Sequence, residues 1–278
     1  MENANDGKYV HINGNDIYYE SYLHQQSAKE TIILMHGFLS SSFSFRRLIP
    51  FLQKEYNVIS IDLPPFGKSG KSRRYRYSFE NLANTVIQLV ESLHLTKITL
   101  LGHSMGGQIA LNTANIRPDL VQGVILLCSS GYMKKSKPLL ILASCLPQFH
   151  RFVKRRLERS GLENNLRFVV YNQSIIDKEM EEGYLAPFLK DDIFFALTKL
   201  IRDREGDLSK DILNELRVPC LLIWGEQDQV VPLEIGKQLH KDLKKSKLIV
   251  LKETGHLIPE ERPEEVFHYI KEFITDKG

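Results

Sequence analysis

A mostly parallel α/β sheet with helices on both faces, and a helical segment inserted after the sixth strand, is the fold class this 278-residue chain predicts. Three observations carry that expectation. From Glu30 onward, short β-rich runs alternate with longer stretches of helical pattern, as parallel strands joined by helical crossovers require. One strand-to-helix junction holds the run Gly102-His103-Ser104-Met105-Gly106-Gly107. Between residues 131 and 216 the alternation stops, and helical patterns follow one another without a convincing strand.

Taken in order, residues 8–12 and 16–22 read as strands, and Asn13-Gly14-Asn15 between them reads as a tight turn. The pair should form a hairpin that adds an antiparallel edge. A strand at 30–34 leads to a helix near 43–53, a strand at 57–61 to a helix over 78–93, and a strand at 98–101 to a helix over 105–115. A strand at 121–127 closes this half. After the strand-free segment, with helical patterns at 151–159, 164–171 and 191–204, a strand at 220–224, a helix over 233–243 and a strand at 247–251 resume the series. The division that follows is a core of residues 1–130 and 217–278, interrupted by a helical cap of residues 131–216.

Composition narrows the function classes. Apolar residues at 42% and charged residues at 26% are ordinary for a globular protein with a full-sized core. A formal net charge of +3 gives no ground for expecting nucleic acid as a partner. Residues 1–7 are polar and acidic, so no secretory signal is visible, and the longest apolar run, 138–147, falls short of the about 20 residues that span a bilayer. A cytoplasmic protein without an integral membrane segment is the expectation. Cys128, Cys145 and Cys220 show no paired spacing and should be buried free thiols in a reducing compartment.

The serine junction carries the chemistry. A Gly-x-Ser-x-Gly run is weak evidence alone, but a serine on a sharp strand-to-helix turn exposes its hydroxyl, and small flanking residues let the turn close. Gly102 and Gly106 supply that room around Ser104. A free hydroxyl is a poor nucleophile at neutral pH, so it needs a base within reach and a third group to orient the base. Of nine histidines, His256 is the candidate base, because it lies in a loop just after the β-rich run at 247–251. His11 and His24 precede the first βα unit, while His94, His150, His240 and His268 fall in helical or polar contexts. His36 and His103 flank the glycine motifs and read as structural.

Asp228, in the loop after the strand at 220–224, is the candidate orienting acid; its competitor Glu226 is too close to the strand end to reach as far. One right-handed crossover separates Asp228 from His256, which puts both at the carboxyl ends of adjacent parallel strands. Ser104 belongs to the same edge, where open α/β sheets bind ligands. The strand at 30–34 ends in His36-Gly37-Phe38-Leu39-Ser40, a turn able to aim a backbone N–H at a reacting carbonyl. The expected oxyanion donors are the N–H groups of Phe38 and Met105.

These residues, His36-Gly37, Gly102 to Gly107, Asp228 and His256, resemble the α/β-hydrolase superfamily, whose order of nucleophile, acid and histidine they share. Asp62-Leu63-Pro64 with Phe66-Gly67-Lys68-Ser69, and Gly255-His256 with Glu261-Arg262-Pro263, extend the resemblance over nearly the whole chain; Pro65 stands where the family usually has glycine. The resemblance implies an α/β-hydrolase fold with a cap over the carboxyl edge. The aromatic residues Phe149, Phe152, Phe168, Tyr171, Tyr184, Phe188, Phe194 and Phe195 of that segment should mostly hold the cap together, with one apolar face toward the site. Its first third is basic, with Lys134, Lys135, Lys137, Arg151, Lys154, Arg155, Arg156 and Arg159 against Glu158; this reads as a solvated face, with attraction to anionic substrates or a membrane surface as the alternative.

Gly67-Lys68-Ser69 is not a phosphate loop, since Asp62 replaces the first glycine and Pro64 and Pro65 lack N–H donors. Neither a metal-ligand cluster nor a dinucleotide fingerprint is present in the sequence, so no cofactor is expected. The leading expectation is a serine carboxylesterase working through an acyl-enzyme on a small or medium hydrophobic ester. One alternative is carbon–carbon bond hydrolysis of ring-cleavage products, whose enzymes this chain resembles in Ser-Met-Gly-Gly and the cap but not at His103 and Leu257. The other is a ligand-binding protein that keeps the triad and turns over slowly.

Overall fold

In the computed structural model, which describes residues 6–24, 30–160, 162–188 and 191–276, Asn13 and Gly14 have φ of 52° and 73°. Positive φ at both central residues is what a two-residue type I′ turn requires, and it folds β1 (Asp6–Ile12) antiparallel onto β2 (Asn15–Tyr22). Six more strands follow: β3 (Thr31–Met35), β4 (Asn57–Ile61), β5 (Ile98–His103), β6 (Val121–Leu127), β7 (Cys220–Gly225) and β8 (Ser246–Leu251). They form one sheet in the order β1-β2-β4-β3-β5-β6-β7-β8, antiparallel through β2 and parallel from β4 onward. Every residue of β3, β5 and β7 is buried, as expected of parallel strands covered on both faces.

The helices are α1 (Ile49–Leu52), α2 (Phe79–Ser92), α3 (Met105–Ile116), α4 (Pro138–Ser144), α5 (Phe149–Ser160), α6 (Leu162–Val169), α7 (Lys178–Leu185), α8 (Asp192–Asp203), α9 (Lys210–Glu215), α10 (Leu233–Asp242), α11 (Ile258–Glu261) and α12 (Pro263–Thr275). The helix expected near 43–53 is instead a 3₁₀ turn at Ser42–Phe45 followed by the single turn α1. Pro50 is the reason. It has no N–H to continue a helix through itself, and it sits in the first turn of α1, where none is needed. Cys145 also departs from expectation: Cys128 and Cys220 are buried, but Cys145 is exposed on the outer side of α4, which packs inward through Ile141 and Ser144. No helix among the described residues is long and apolar enough to cross a membrane.

Helices α4 to α9 all lie between β6 and β7. They are tied to the sheet edge by ion pairs around Glu260, whose fully buried carboxylate takes Arg46 Nε at 3.1 Å and Arg47 Nε at 3.2 Å. The same arginines reach α7 and its cap residue: Arg46 Nη1 meets Glu179 at 2.8 Å, and Arg47 Nη2 meets Asp177 at 3.1 Å. A buried carboxylate with two guanidinium partners is far costlier to leave unpaired than an exposed one, so this junction resists separation. Where the inserted segment leaves and rejoins the sheet, Met133 N–H donates to Asp207 Oδ2 at 3.0 Å and Asp207 N–H to the Met133 carbonyl at 2.8 Å.

Candidate active site

Ser104 stands between the last residue of β5 and the first of α3 with φ 53° and ψ −118°, a backbone conformation that costs a non-glycine residue about 1–3 kcal/mol. The turn is held by three hydrogen bonds: Ser104 N–H to the Leu127 carbonyl at 3.0 Å, and the Ser104 carbonyl accepting from Gly107 and Ser130 N–H, both at 3.0 Å. The flanking glycines are sterically obligatory. A Cβ on Gly102 would lie 2.3 Å from the Gly106 carbonyl oxygen, and one on Gly106 would lie 2.1 Å from that of Met35. A serine preceding a helix ordinarily spends its hydroxyl on capping it; Ser104 makes no such bond, which leaves Oγ for the cavity that the residue lines.

His256 Nδ1–H donates to Asp228 Oδ2 at 2.7 Å, both side chains being almost wholly buried. Asp228 Oδ1 accepts from Val230 and Val231 N–H at 2.8 and 2.9 Å. Burial works to raise the Asp228 carboxyl, but its bonds to His256, to the Val231 amide and to the Cys128 thiol outweigh it and hold the group below its ordinary range. With Nδ1 engaged, Nε2 is the ring nitrogen left to face the cavity, which Ser104 and His256 line together. Glu226, the competing acid, instead accepts from the Gln227 side chain at 3.0 Å on the surface.

His36 and His103 act on the backbone of the site. His36 Nδ1–H donates to the Gly37 carbonyl at 2.7 Å while Nε2 accepts from Leu63 N–H at 2.9 Å, a pattern only a neutral ring makes; burial lowers its pKa accordingly. His103 Nε2–H donates to the His256 carbonyl at 2.9 Å, and burial, with His256 beside it, pushes its pKa down to about 3. A neutral His103 places no charge against the His256 ring, 4.8 Å away centre to centre. The His36-Gly37-Phe38 turn runs close to the serine, since a Cβ on Gly37 would come 3.1 Å from Ser104 Cβ. Phe38 N–H belongs to that turn and Met105 N–H opens α3, where helix donors have no intrahelical partner.

Two residues that the sequence names without a role at the site also belong to it. Cys128, just past the end of β6, places Sγ with the Asp228 and His256 ligand atoms inside 4.8 Å, the one metal-capable group of three among the described residues. Its pKa is raised far above the ordinary value by burial and by Asp228, so it is a neutral thiol beside the carboxylate. Asp228 and His256 already bond each other there. Glu261, the last residue of α11, accepts from Gly255 N–H at 2.9 Å with Oε1 and from Tyr171 and Asn172 N–H at 2.9 and 3.1 Å with Oε2. His256 N–H donates to the Val169 carbonyl at 2.7 Å, so the histidine loop is fastened directly to the end of α6.

The cavity above the serine encloses about 690 Å³. Its floor is Gly37, Ser40, His103, Ser104 and His256; its walls include Leu157, Phe168, Tyr184 and Phe194 from the inserted helices. Of the aromatic residues named from the sequence, Phe152, Tyr171 and Phe195 face solvent, Phe168 lines the cavity while half-exposed, and the side chain of Phe188 lies outside the described residues. At the Gly67-Lys68-Ser69 turn, the Asp62 carboxylate takes Ser42 N–H and Lys68 N–H, each at 2.7 Å.

A family model for the alpha/beta hydrolase fold matches residues 30–263. The chain belongs to the alpha/beta hydrolase family and is a hydrolase. It is 50% identical over 263 residues to the uncharacterized hydrolase YugF of Bacillus subtilis, covering 95% of this chain and 96% of that one. It is 24% identical to monoacylglycerol lipase abhd6-A of Xenopus laevis, over 89% of this chain and 76% of the relative. Among solved structures, the meta-cleavage product hydrolase CumD of Pseudomonas fluorescens IP01 superposes with a TM-score of 0.79 at 21% identity, over 98% of each chain, which is a likeness of fold.

Proposed function

We propose that this hydrolase cleaves carboxylic esters of small or medium hydrophobic acyl groups through an acyl-enzyme. The observation that carries the reading is the strained Ser104 beside a cavity shared with His256, whose ring is bonded at 2.7 Å to the buried Asp228. Ser104 Oγ attacks the carbonyl carbon while His256 Nε2 takes its proton and passes it to the leaving alkoxide; water, activated by the same nitrogen, then releases the acid. Asp228 holds the ring in the Nδ1–H tautomer and stabilises the imidazolium. The N–H groups of Phe38 and Met105 receive the oxyanion, and residues 131–216 act as a cap that keeps water from the site.

An apolar cavity supports an ester over a ring-cleavage product. Such a product carries a carboxylate, and no Lys or Arg is among the described residues lining the cavity. The monoacylglycerol lipases among the relatives, at 24% identity, are consistent with ester chemistry. The test is labelling with a fluorophosphonate, which an activated serine attacks at phosphorus. We expect one modified residue, Ser104, and no labelling of Ser104→Ala; label retained in that variant defeats the assignment. Steady turnover of a p-nitrophenyl ester beyond one equivalent separates an enzyme from a slow ligand-binding protein.

A further inference from the structure

We propose that the outward face of α4 and α5 is a docking surface for an anionic lipid bilayer. Leu139 and Leu142, one turn apart on α4, are 77% and 68% exposed, Leu146 in the turn just past the helix is 63% exposed, and Phe152 on α5 is 60% exposed. Scattered apolar residues on a surface need no explanation, but exposed leucines gathered on one short helix and the turn that follows it do. Around them the charge is one-sided: residues 131–160 hold eight Lys or Arg and a single acid, Glu158. Among the described residues, exposed Lys134, Lys135, Lys137, Arg155, Arg156 and Arg159 pair with no carboxylate.

That charge decides the occupant. A second copy docked face to face would bring two strongly basic patches together, and its repulsion opposes burial of the leucines. An anionic bilayer answers both features: the aliphatic side chains enter the headgroup–acyl boundary while the cations meet lipid phosphates and carboxylates. Leu157, on the same α5, lines the cavity, so docking would bring the cavity beside the layer into which amphipathic esters partition. This last consequence rests on the ester reading; the docking itself does not.

The test is co-sedimentation of the full chain with vesicles of phosphatidylcholine alone or mixed with phosphatidylglycerol, at about 0.1 M salt, where the Debye length is about 10 Å. Partition onto the anionic vesicles should exceed that onto the neutral ones by about tenfold or more. The exposed triple variant Lys134→Gln, Lys135→Gln, Lys137→Gln and the variant Leu139→Ser, Leu142→Ser, Leu146→Ser should each lose about tenfold or more of it. The control Lys241→Gln, Lys244→Gln, Lys245→Gln removes equal charge from exposed sites elsewhere and should stay within about twofold. Absence of binding to anionic vesicles, equal losses in the two lysine triples, or vesicle-free self-association abolished by the leucine variant would each overturn the proposal. Hydrolysis of a soluble ester and the melting temperature check that the variants fold; if the leucine variant does not, the two lysine triples still decide.

Discussion

Asp228 shows how one carboxylate can serve as both anchor and electrostatic partner. Two amides fix Oδ1 at 2.8 and 2.9 Å, so Oδ2 has a single direction in which to present its charge, and His256 Nδ1 occupies it. Asp228→Asn keeps the amide contacts and the fold but offers the imidazole a neutral partner that favours the wrong tautomer. kcat should fall by about 10⁴-fold, the loss seen when the equivalent role is removed in a serine protease, with the melting temperature nearly unchanged. Near-normal turnover would pass the role to another acid. Ser104, Asp228 and His256 are legible in the sequence because each sits just beyond a strand in a recognisable spacing. The roles of Cys128 and Glu261 are not: their partners are Asp228, Gly255, Tyr171 and Asn172, and no spacing encodes contacts made only when β6, β7 and α6 converge.

At the scale of elements, hydrophobic period and turn chemistry account for all eight strands of the described sheet, with ends that differ by at most two residues. What escapes is short or irregular. The region 43–53 carries a helical pattern that Pro50 interrupts, and α4, with three leucines facing solvent, shows a core-like composition on a surface. The junction where the inserted segment leaves the sheet contains a pH-sensitive contact that only tertiary structure creates. Burial raises the Asp207 carboxyl from 3.8 to about 6, against the pull of Met133 N–H. The fold therefore holds this proton where the unfolded chain has released it. Its contribution favours the folded state below about pH 4 and is lost progressively as pH rises to about 6. Asp207→Asn can still accept from Met133 and never ionises, so its melting temperature relative to the parent should rise between pH 4 and pH 7. A difference that stays flat, or falls, over that interval would show that Asp207 ionises normally in the fold.

For the whole molecule, the sheet holds Ser104, Asp228 and His256 at one edge, and on the proposed function the inserted helices decide what reaches them. The walls contributed by Leu157, Phe168, Tyr184 and Phe194 are carbon-rich, and the enclosed volume of about 690 Å³ is far larger than an acetyl group needs. Rim positions Phe38, Phe168, Leu185 and Val230 are partly exposed, so an acyl chain meets apolar surface from the mouth inward. Each methylene buried there can supply about 0.8 kcal/mol, close to fourfold in rate when the contact is realised in the transition state. kcat/KM for p-nitrophenyl esters should therefore climb from acetate through butyrate and hexanoate, then level off once the chain fills the cavity above Ser104. Measured below the solubility and micelle limits, a steady decline from acetate onward would mean that the inserted helices close on a smaller site than the cavity allows. The aromatic walls would then act as packing for α5 to α8 rather than as the binding surface for substrate.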